Sequence, residues 1–164
     1  MPPITANVLK MATARIAEDM TAPRSIAIMD ALGNLDELSC VLGLAGDEFE
    51  DAQLFLSEIM GYIYARRNDE VRIGEEIQKI NDFVEHAPAS FNGLPKGWLP
   101  MARAVCRRTE RSMVKLNVEF RETGEFGYNA FPIIQYLDRL SDYITAHIAI
   151  SAAKATPETL RMVA

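Results

Sequence analysis

Apolar residues recur at spacings of three and four along most of this chain, the period that places them on one face of an α-helix. Ile28, Leu32, Leu35, Leu38 and Leu42 mark a first long helix over 25–45. Leu54, Phe55, Ile59, Tyr62 and Ile63 mark a second over 51–67, all facing inward. Ile73, Ile77, Ile80 and Val84 mark a third over 69–85, with Asn68 as its cap. A fourth, over 99–122, has the seam Ala102, Cys106, Thr109, Met113, Leu116 and Phe120, and Ile133, Leu137, Leu140, Ile144 and Ile148 define a fifth over 130–153. No segment alternates with the period of a strand, and no internal repeat is present, so the expected fold is an all-α, up-and-down bundle. A helix of about 24 residues is ~36 Å long, and helices of that length in a small domain usually need several neighbours, which another subunit can supply.

The segments between these helices are short, with two exceptions. Residues 1–23 hold at most a short helix with Val8, Met11, Ala12, Arg15 and Ile16 at helical spacing, broken at Pro23. Residues 86–100 are irregular, with Pro88, Pro95, Pro100, Gly93 and Gly97 around Phe91 and Trp98, and loops of that length in a compact domain are often functional. Residues 124–129 form a break, and 156–164 a tail or short helix. Residues 1–164 are read as one helical-bundle domain with its core over 24–153. Gly33, inside the first helix at a cost of ~1 kcal/mol relative to Ala, points to close approach of another element there.

The charge pattern concentrates on the fourth helix, where Arg103, Arg107, Arg108 and Arg111 fall within nine positions. Arg103, Arg107 and Arg111 share a face beside the apolar seam, and like charges at that spacing repel by roughly 0.2–0.5 kcal/mol per pair. Either they are a solvated face with a local pair such as Arg107–Glu110, or something anionic answers them. On the fifth helix Asp138 and Asp142 lie four apart with Arg139 beside them, and on the first Asp36 and Glu37 follow Gly33.

Composition limits which anion is in question. With 164 residues, 49% of them hydrophobic and 24% charged, the chain is an ordinary globular domain, and its net charge of −6 argues against a general nucleic-acid binder. A basic stripe inside an acidic protein fits a small anionic ligand. No run of ~18 apolar residues is present and the N-terminus has no signal-peptide core, so no membrane partner and a cytoplasmic location are expected. Cys40 and Cys106 form no Cys-x-x-Cys pair and are expected to be buried free thiols. No metal site built from side chains is expected: neither His86 nor His147 has an acid three residues before it, and His147 is expected to be a satisfied core residue.

Three motifs fall in order on these helices: Gly-Asn-Leu-Asp-Glu-Leu-Ser from Gly33, Arg-Ala-Val-Cys-Arg-Arg-Thr-Glu-Arg from Arg103, and Tyr-Leu-Asp-Arg-Leu-Ser-Asp-Tyr from Tyr136. Over about 22–151 this resembles the PduO-type ATP:cob(I)alamin adenosyltransferases, which show Gly-Thr-x-Asp-Glu-Leu-Asn/Ser, Arg-x-x-x-Arg-Arg-x-Glu-Arg and Leu-Asn-Arg-Leu-Ser-Asp-Tyr. The resemblance implies a five-helix, ferritin-like bundle, assembled as a homotrimer with sites at subunit interfaces. It implies transfer of the 5′-deoxyadenosyl group of ATP, with Mg²⁺, to the Co(I) of reduced cobalamin. By position Arg107, Arg111 and Asp36 would be catalytic, with Asp36 pairing Arg107 across helices. Arg103, Arg108, Glu110, Asp138, Arg139, Asp142 and Phe91 would bind the nucleotide and corrinoid. The family's Asn before Arg-Leu-Ser-Asp is Asp138 here, its Pro-Gly-Gly stretch is Pro95-Lys96-Gly97, and 1–24 hold nothing like its Thr-Gly-Asp-x-Gly-Thr-Thr nucleotide loop. The other classes open to this chain are a catalytically inactive relative that binds nucleotide or corrinoid as a regulatory oligomer, and a purely structural helical oligomer.

Overall fold

A computed structural model describes residues 26–88, 96–123 and 128–159. Five α-helices carry them: α1 Ile26–Ala45, α2 Glu50–Ala65, α3 Glu70–Glu85, α4 Trp98–Thr123 and α5 Phe131–Thr159, with a single 3-10 turn, Asp47–Phe49, before α2. Among the described residues there is no strand, and no helix is long and apolar enough to cross a membrane. The short helix expected within 1–23 and the residue Phe91 lie outside the described residues.

The helices start and stop where local chemistry supplies the missing hydrogen bonds. Asp69, not Asn68, caps α3: its extended backbone lets Oδ1 accept from Arg72 N at 3.0 Å. Asn68 instead donates its side-chain amide to the Asn129 carbonyl, across to the start of α5. Asn129 Oδ1 in turn accepts from Phe131 N at 3.1 Å, and Asn117 Oδ1 from Ala130 N at 3.0 Å. Pro100 and Pro132 sit in the first turns of α4 and α5, where a missing N–H costs nothing. Arg66, left-handed at φ 53°, ends α2, and the N–H groups of Arg66 and Arg67 turn back onto the Ile63 and Tyr62 carbonyls.

The inward faces meet in one core. Leu35, Leu38 and Leu42 of α1, Phe55, Leu56, Ile59 and Ile63 of α2, and Ile73 of α3 are buried, as are Met113 and Leu116 of α4 and Ile133, Leu137, Leu140 and Ile144 of α5. Around the bundle α1 lies between α2 and α4, and α5 between α4 and α3. The ring closes where Phe55 of α2 meets Tyr136 of α5 edge to face at 4.7 Å, and where Arg72 of α3 pairs with Glu58 of α2. The helical period placed most positions correctly, but three expectations change. Leu54 is 62% exposed, and Leu56 takes the inward place because a step of two residues carries it round to the core side. Tyr62 packs against the core as expected but is only half-buried. Cys40 is exposed, lying on the outer side of α1 between the inward Leu38 and Leu42. α5 continues to Thr159, past the expected end near 153.

Gly33 is not a point of close approach. It is exposed, and a Cβ built there meets nothing within 4 Å. Of the glycines within α1 the tight one is Gly43, where a Cβ would lie 2.8 Å from Gln53 Nε2, the group that crosses from α2 to donate to the Ser39 carbonyl at 2.8 Å. Gly33→Ala should therefore raise stability by about 0.5–1 kcal/mol in urea unfolding, through restricted freedom of the unfolded chain and better helix propensity. A loss of stability instead would mean that another surface presses on Gly33.

His147 is not the satisfied core residue expected. Its ring stacks on Phe83 at 4.8 Å and 12°, with Phe49 and Tyr143 against its other sides. Its Nδ1 lies 3.9 Å from Glu48 Oε1 of the 3-10 turn, and its buried Nε2 has no hydrogen-bond partner among the described residues. Burial holds its pKa below the ordinary histidine value, with Glu48 opposing and Lys154 assisting. The unfolded chain then binds a proton at higher pH than the folded one, so the stability of neutral His147 is present above about pH 6.5 and is lost as pH falls through the depressed folded value. Urea midpoints from pH 7.5 down to 5 should fall more steeply for the natural protein than for His147→Phe. Parallel curves would place the titration elsewhere.

Candidate functional site

The fourth helix has two faces one step apart. Ala102, Cys106, Thr109, Met113, Leu116 and Phe120 are all buried, as their spacing requires, while Arg103, Arg107, Arg108 and Arg111 are exposed. The stripe is thus a solvent-facing edge of the buried seam. Two polar groups anchor the seam: Cys106 donates its S–H to the Leu137 carbonyl at 3.3 Å, and the Thr109 hydroxyl lies 3.0 Å from the Asn34 carbonyl. Burial pushes the Cys106 thiol up to about 12, so it is an inert packing group.

Successive arginines turn to different neighbours because each step around a helix is ~100°. Arg108 faces α1, where its Nε donates to Asn34 Oδ1 at 3.0 Å and its guanidinium meets Glu37. Arg107 faces α5. Its Nη1 lies 2.9 Å from both Glu110 Oε2 and Asp138 Oδ1. Asp138 passes the chain on: its Oδ2 is 2.8 Å from Arg139 Nη2, and Arg139 Nη1 is 2.9 Å from Asp142 Oδ2. The expected Asp36–Arg107 pair does not form within the chain. Asp36 is exposed, and the acid of its motif that reaches α4 is Glu37, one residue on, which meets Arg108 rather than Arg107.

The result is an alternating row, Glu110–Arg107–Asp138–Arg139–Asp142. The hydrogen bond from Arg139, reinforced by Arg107 and opposed by partial burial, holds the Asp138 carboxyl below its ordinary range. The hydrogen bond to Asp138 raises both guanidinium pKa values, with Glu110 adding at Arg107 and Asp142 at Arg139. Side-chain exposures in the row are mostly between 40% and 49%, so each pair contributes no more than about 1 kcal/mol and the row mainly sets geometry.

Beside this row a cavity of about 580 Å³ opens between α4 and α5, lined by Pro100, Arg103, Ala104, Arg107, Asp138, Ser141, Asp142 and Thr145. Its volume is that of a small-molecule site. Of the residues expected at a site, Arg103, Arg107, Asp138 and Asp142 line the cavity directly, and Glu110 and Arg139 brace it. Arg108 lies on the α1 side and Arg111 is exposed outside the lining. Ser141 and Thr145 were not expected. Both follow from continuing the helical spacing of Asp138 and Asp142, and both carry hydroxyls suited to a polar ligand. Among the described residues no group of three or more His, Cys, Asp or Glu is placed to hold a metal ion. Any divalent cation here would have to take most of its ligands from phosphate and water, as Mg²⁺ commonly does.

The model of a protein family described as cobalamin adenosyltransferase matches residues 11–150. No curated protein matches the chain. Among solved structures, the chain is similar to a phenylalanine-to-alanine variant of a PduO-type ATP:corrinoid adenosyltransferase from Lactobacillus reuteri complexed with cobalamin and ATP. The identity is 22% over 79% of this chain and 82% of that one, with a TM-score of 0.48. A phenylalanine-to-histidine variant of the same enzyme, in the same complex, gives 22% identity over 76% and 77%, with a TM-score of 0.46.

Proposed function

The chain belongs to the cobalamin adenosyltransferase family, and from that premise we propose that it transfers the 5′-deoxyadenosyl group of ATP to the Co(I) of a reduced cobalamin. In that reaction the electron pair of the cobalt substrate forms the Co–C5′ bond, the C5′–O bond breaks, and triphosphate leaves with its electrons. The observation that carries this reading is the cavity between α4 and α5, where two guanidinium groups face a space large enough for a polyphosphate. Arg103 is the lining cation with no carboxylate partner among the described residues, and it would take phosphate charge as it develops on the leaving group. Arg107 and Arg139 are oriented by Glu110, Asp138 and Asp142 and would act from the edge. Mg²⁺ would arrive on the nucleotide and find Asp138 and Asp142 nearby, neutralising the leaving phosphates when bound.

Trp98 and Met101, each 51% exposed at the start of α4, would offer apolar surface to a corrin ring. Val114 and Val118, 44% and 47% exposed, add apolar surface beside the arginine stripe of the same helix, which supports a homotrimer whose sites lie between subunits. In that assembly Arg111 and Asp36, outside the lining of a single chain, would serve a site completed by a neighbouring copy. Incubating the protein with ATP, Mg²⁺ and chemically reduced cobalamin without oxygen should give adenosylcobalamin, read from its absorbance change. Sedimentation should give three times the chain mass.

One observation favours a second reading, that of a non-catalytic binder. The cavity is lined by as many carboxylates as guanidinium groups, so it is not a strongly cationic trap. Calorimetric ATP binding with no adenosylcobalamin formed would favour that reading, and absence of any nucleotide binding would sink both.

A further inference from the structure

We propose that Asp138 is a specificity-determining residue of the cavity, an internal anion that occupies Arg107 and that a polyphosphate must displace. The proposal rests on the nucleotide reading above and goes beyond it, because it concerns which anion the cavity admits.

The geometry has three parts. First, Arg107 presents one nitrogen, Nη1, to two carboxylates at once, Glu110 and Asp138, each at 2.9 Å. A guanidinium normally offers a fork of donors to an incoming oxyanion, and here the end that faces α5 is already taken. Second, the ion pairs that hold Asp138 come from both sides: Arg107 takes Oδ1 and Arg139 takes Oδ2, so both carboxylate oxygens are used and the group is fixed in place. Third, the ionisable groups of the lining are Arg103 and Arg107 against Asp138 and Asp142, which cancel. A free triphosphate entering this cavity gains Arg103 but meets two carboxylates. The α5-facing end of Arg107 becomes available only if Asp138 yields it.

Asp138 and Asp142 differ in this respect. Asp142 holds Arg139 and does not touch Arg107. Removing the charge of either carboxylate reduces repulsion of an anion, but only loss of the Asp138 charge also loosens the hold on a lining guanidinium, which keeps its contact with Glu110. That difference separates an internal competitor from a general charge effect. The Asp138→Asn side chain has the same shape and can still accept a hydrogen bond, so it tests charge with little change in packing.

The test is calorimetric titration of the full chain with inorganic tripolyphosphate in chelator-containing, low-salt buffer. The proteins are the natural one, Asp138→Asn, Asp142→Asn, and Asp138→Asn combined with Arg107→Ala. Unchanged helical circular dichroism and cooperative melting establish that each variant is folded. Asp138→Asn should bind tripolyphosphate about tenfold more tightly than the natural protein, and the gain should shrink as salt rises. Asp142→Asn should gain clearly less, and adding Arg107→Ala to Asp138→Asn should abolish the gain. Equal gains from both aspartates, or a gain that survives Arg107→Ala, would overturn the proposal in favour of charge removal alone. Tripolyphosphate binding to the natural protein with no gain in Asp138→Asn would overturn it while leaving adenosyl transfer standing. No binding to any of the proteins would overturn it too, and the adenosylcobalamin assay then decides the transfer reading separately.

Discussion

Arg103→Ala should weaken binding of ATP with Mg²⁺ by about tenfold to a hundredfold, the range expected when a charge-assisted contact to phosphate is lost. Arg103 lines the cavity between α4 and α5, is exposed to solvent, and has no carboxylate holding it among the described residues. Among the described residues no ion pair has to be broken before it meets an anion, so its loss should be felt mainly in binding. Arg107→Ala makes the contrast. That guanidinium already spends its α5-facing nitrogen on Glu110 and Asp138, and its removal leaves Asp138 with Arg139 alone. Its effect on ATP affinity should be smaller than that of Arg103→Ala. Calorimetry on both variants, with melting curves to confirm folding, checks the order. An unchanged affinity in Arg103→Ala would remove the cavity from consideration as the phosphate site.

Tyr136→Ala should destabilise the protein by about 3–5 kcal/mol, the cost of emptying a large aromatic site in a core that only partly relaxes. Tyr136 is 1% exposed and closes the ring of helices, its ring meeting that of Phe55 of α2 in a T-shaped contact at 4.7 Å and 75°. Arg72 of α3 lies over the same Phe55 ring at 5.2 Å, so three helices converge on this contact. Tyr136 also borders a small cavity of about 170 Å³, with Glu76, Phe83 and Tyr143, which truncation would enlarge. For a chain of this size each kcal/mol moves the melting temperature by roughly 2–4 °C, so a fall on the order of 10 °C is expected. Tyr136→Phe keeps the ring and should lose less than about 1.5 kcal/mol, the scale of one net hydrogen bond. Similar losses from the two variants would show that the hydroxyl, not the ring, is what matters.

How far these residues could be foreseen depends on the kind of interaction. The seam from Ala102 to Phe120 was legible because helical periodicity and hydrophobicity act along a single segment, and all six of its positions are buried. The same holds for the five helices and for the all-α class. Exposure of the arginines on the neighbouring stripe follows from the same period once the seam is known to face inward. Periodicity erred where two faces compete, as at Leu54, and the cost of a helical glycine misled at Gly33, where an exposed small group was read as a contact. In both cases the inward direction is set by the neighbouring helices, not by the helix itself.

The site divides along the same line. The residue types, two helices with clustered arginines and aspartates, and the family itself were contained in the sequence, because each motif lies within one or two turns of helix. Which acid answers which arginine was not. Arg107 and Arg108 are adjacent in sequence, yet one turns to Asp138 of α5 and the other to Glu37 of α1, since one helical step separates the two neighbours. That choice is fixed by how α4 is rotated between α1 and α5, and the rotation is set by burial of Cys106, Thr109 and Met113 against both. The sequence by itself therefore determined the helices, the buried stripe and the charges beside it. Only the tertiary structure decided that Asp138 holds Arg107, that Asp36 does not, and that Arg103 faces the cavity without a carboxylate of its own among the described residues. Charge pairing acts across helices and falls off within a few ångströms, so it follows the packing and cannot be read before it.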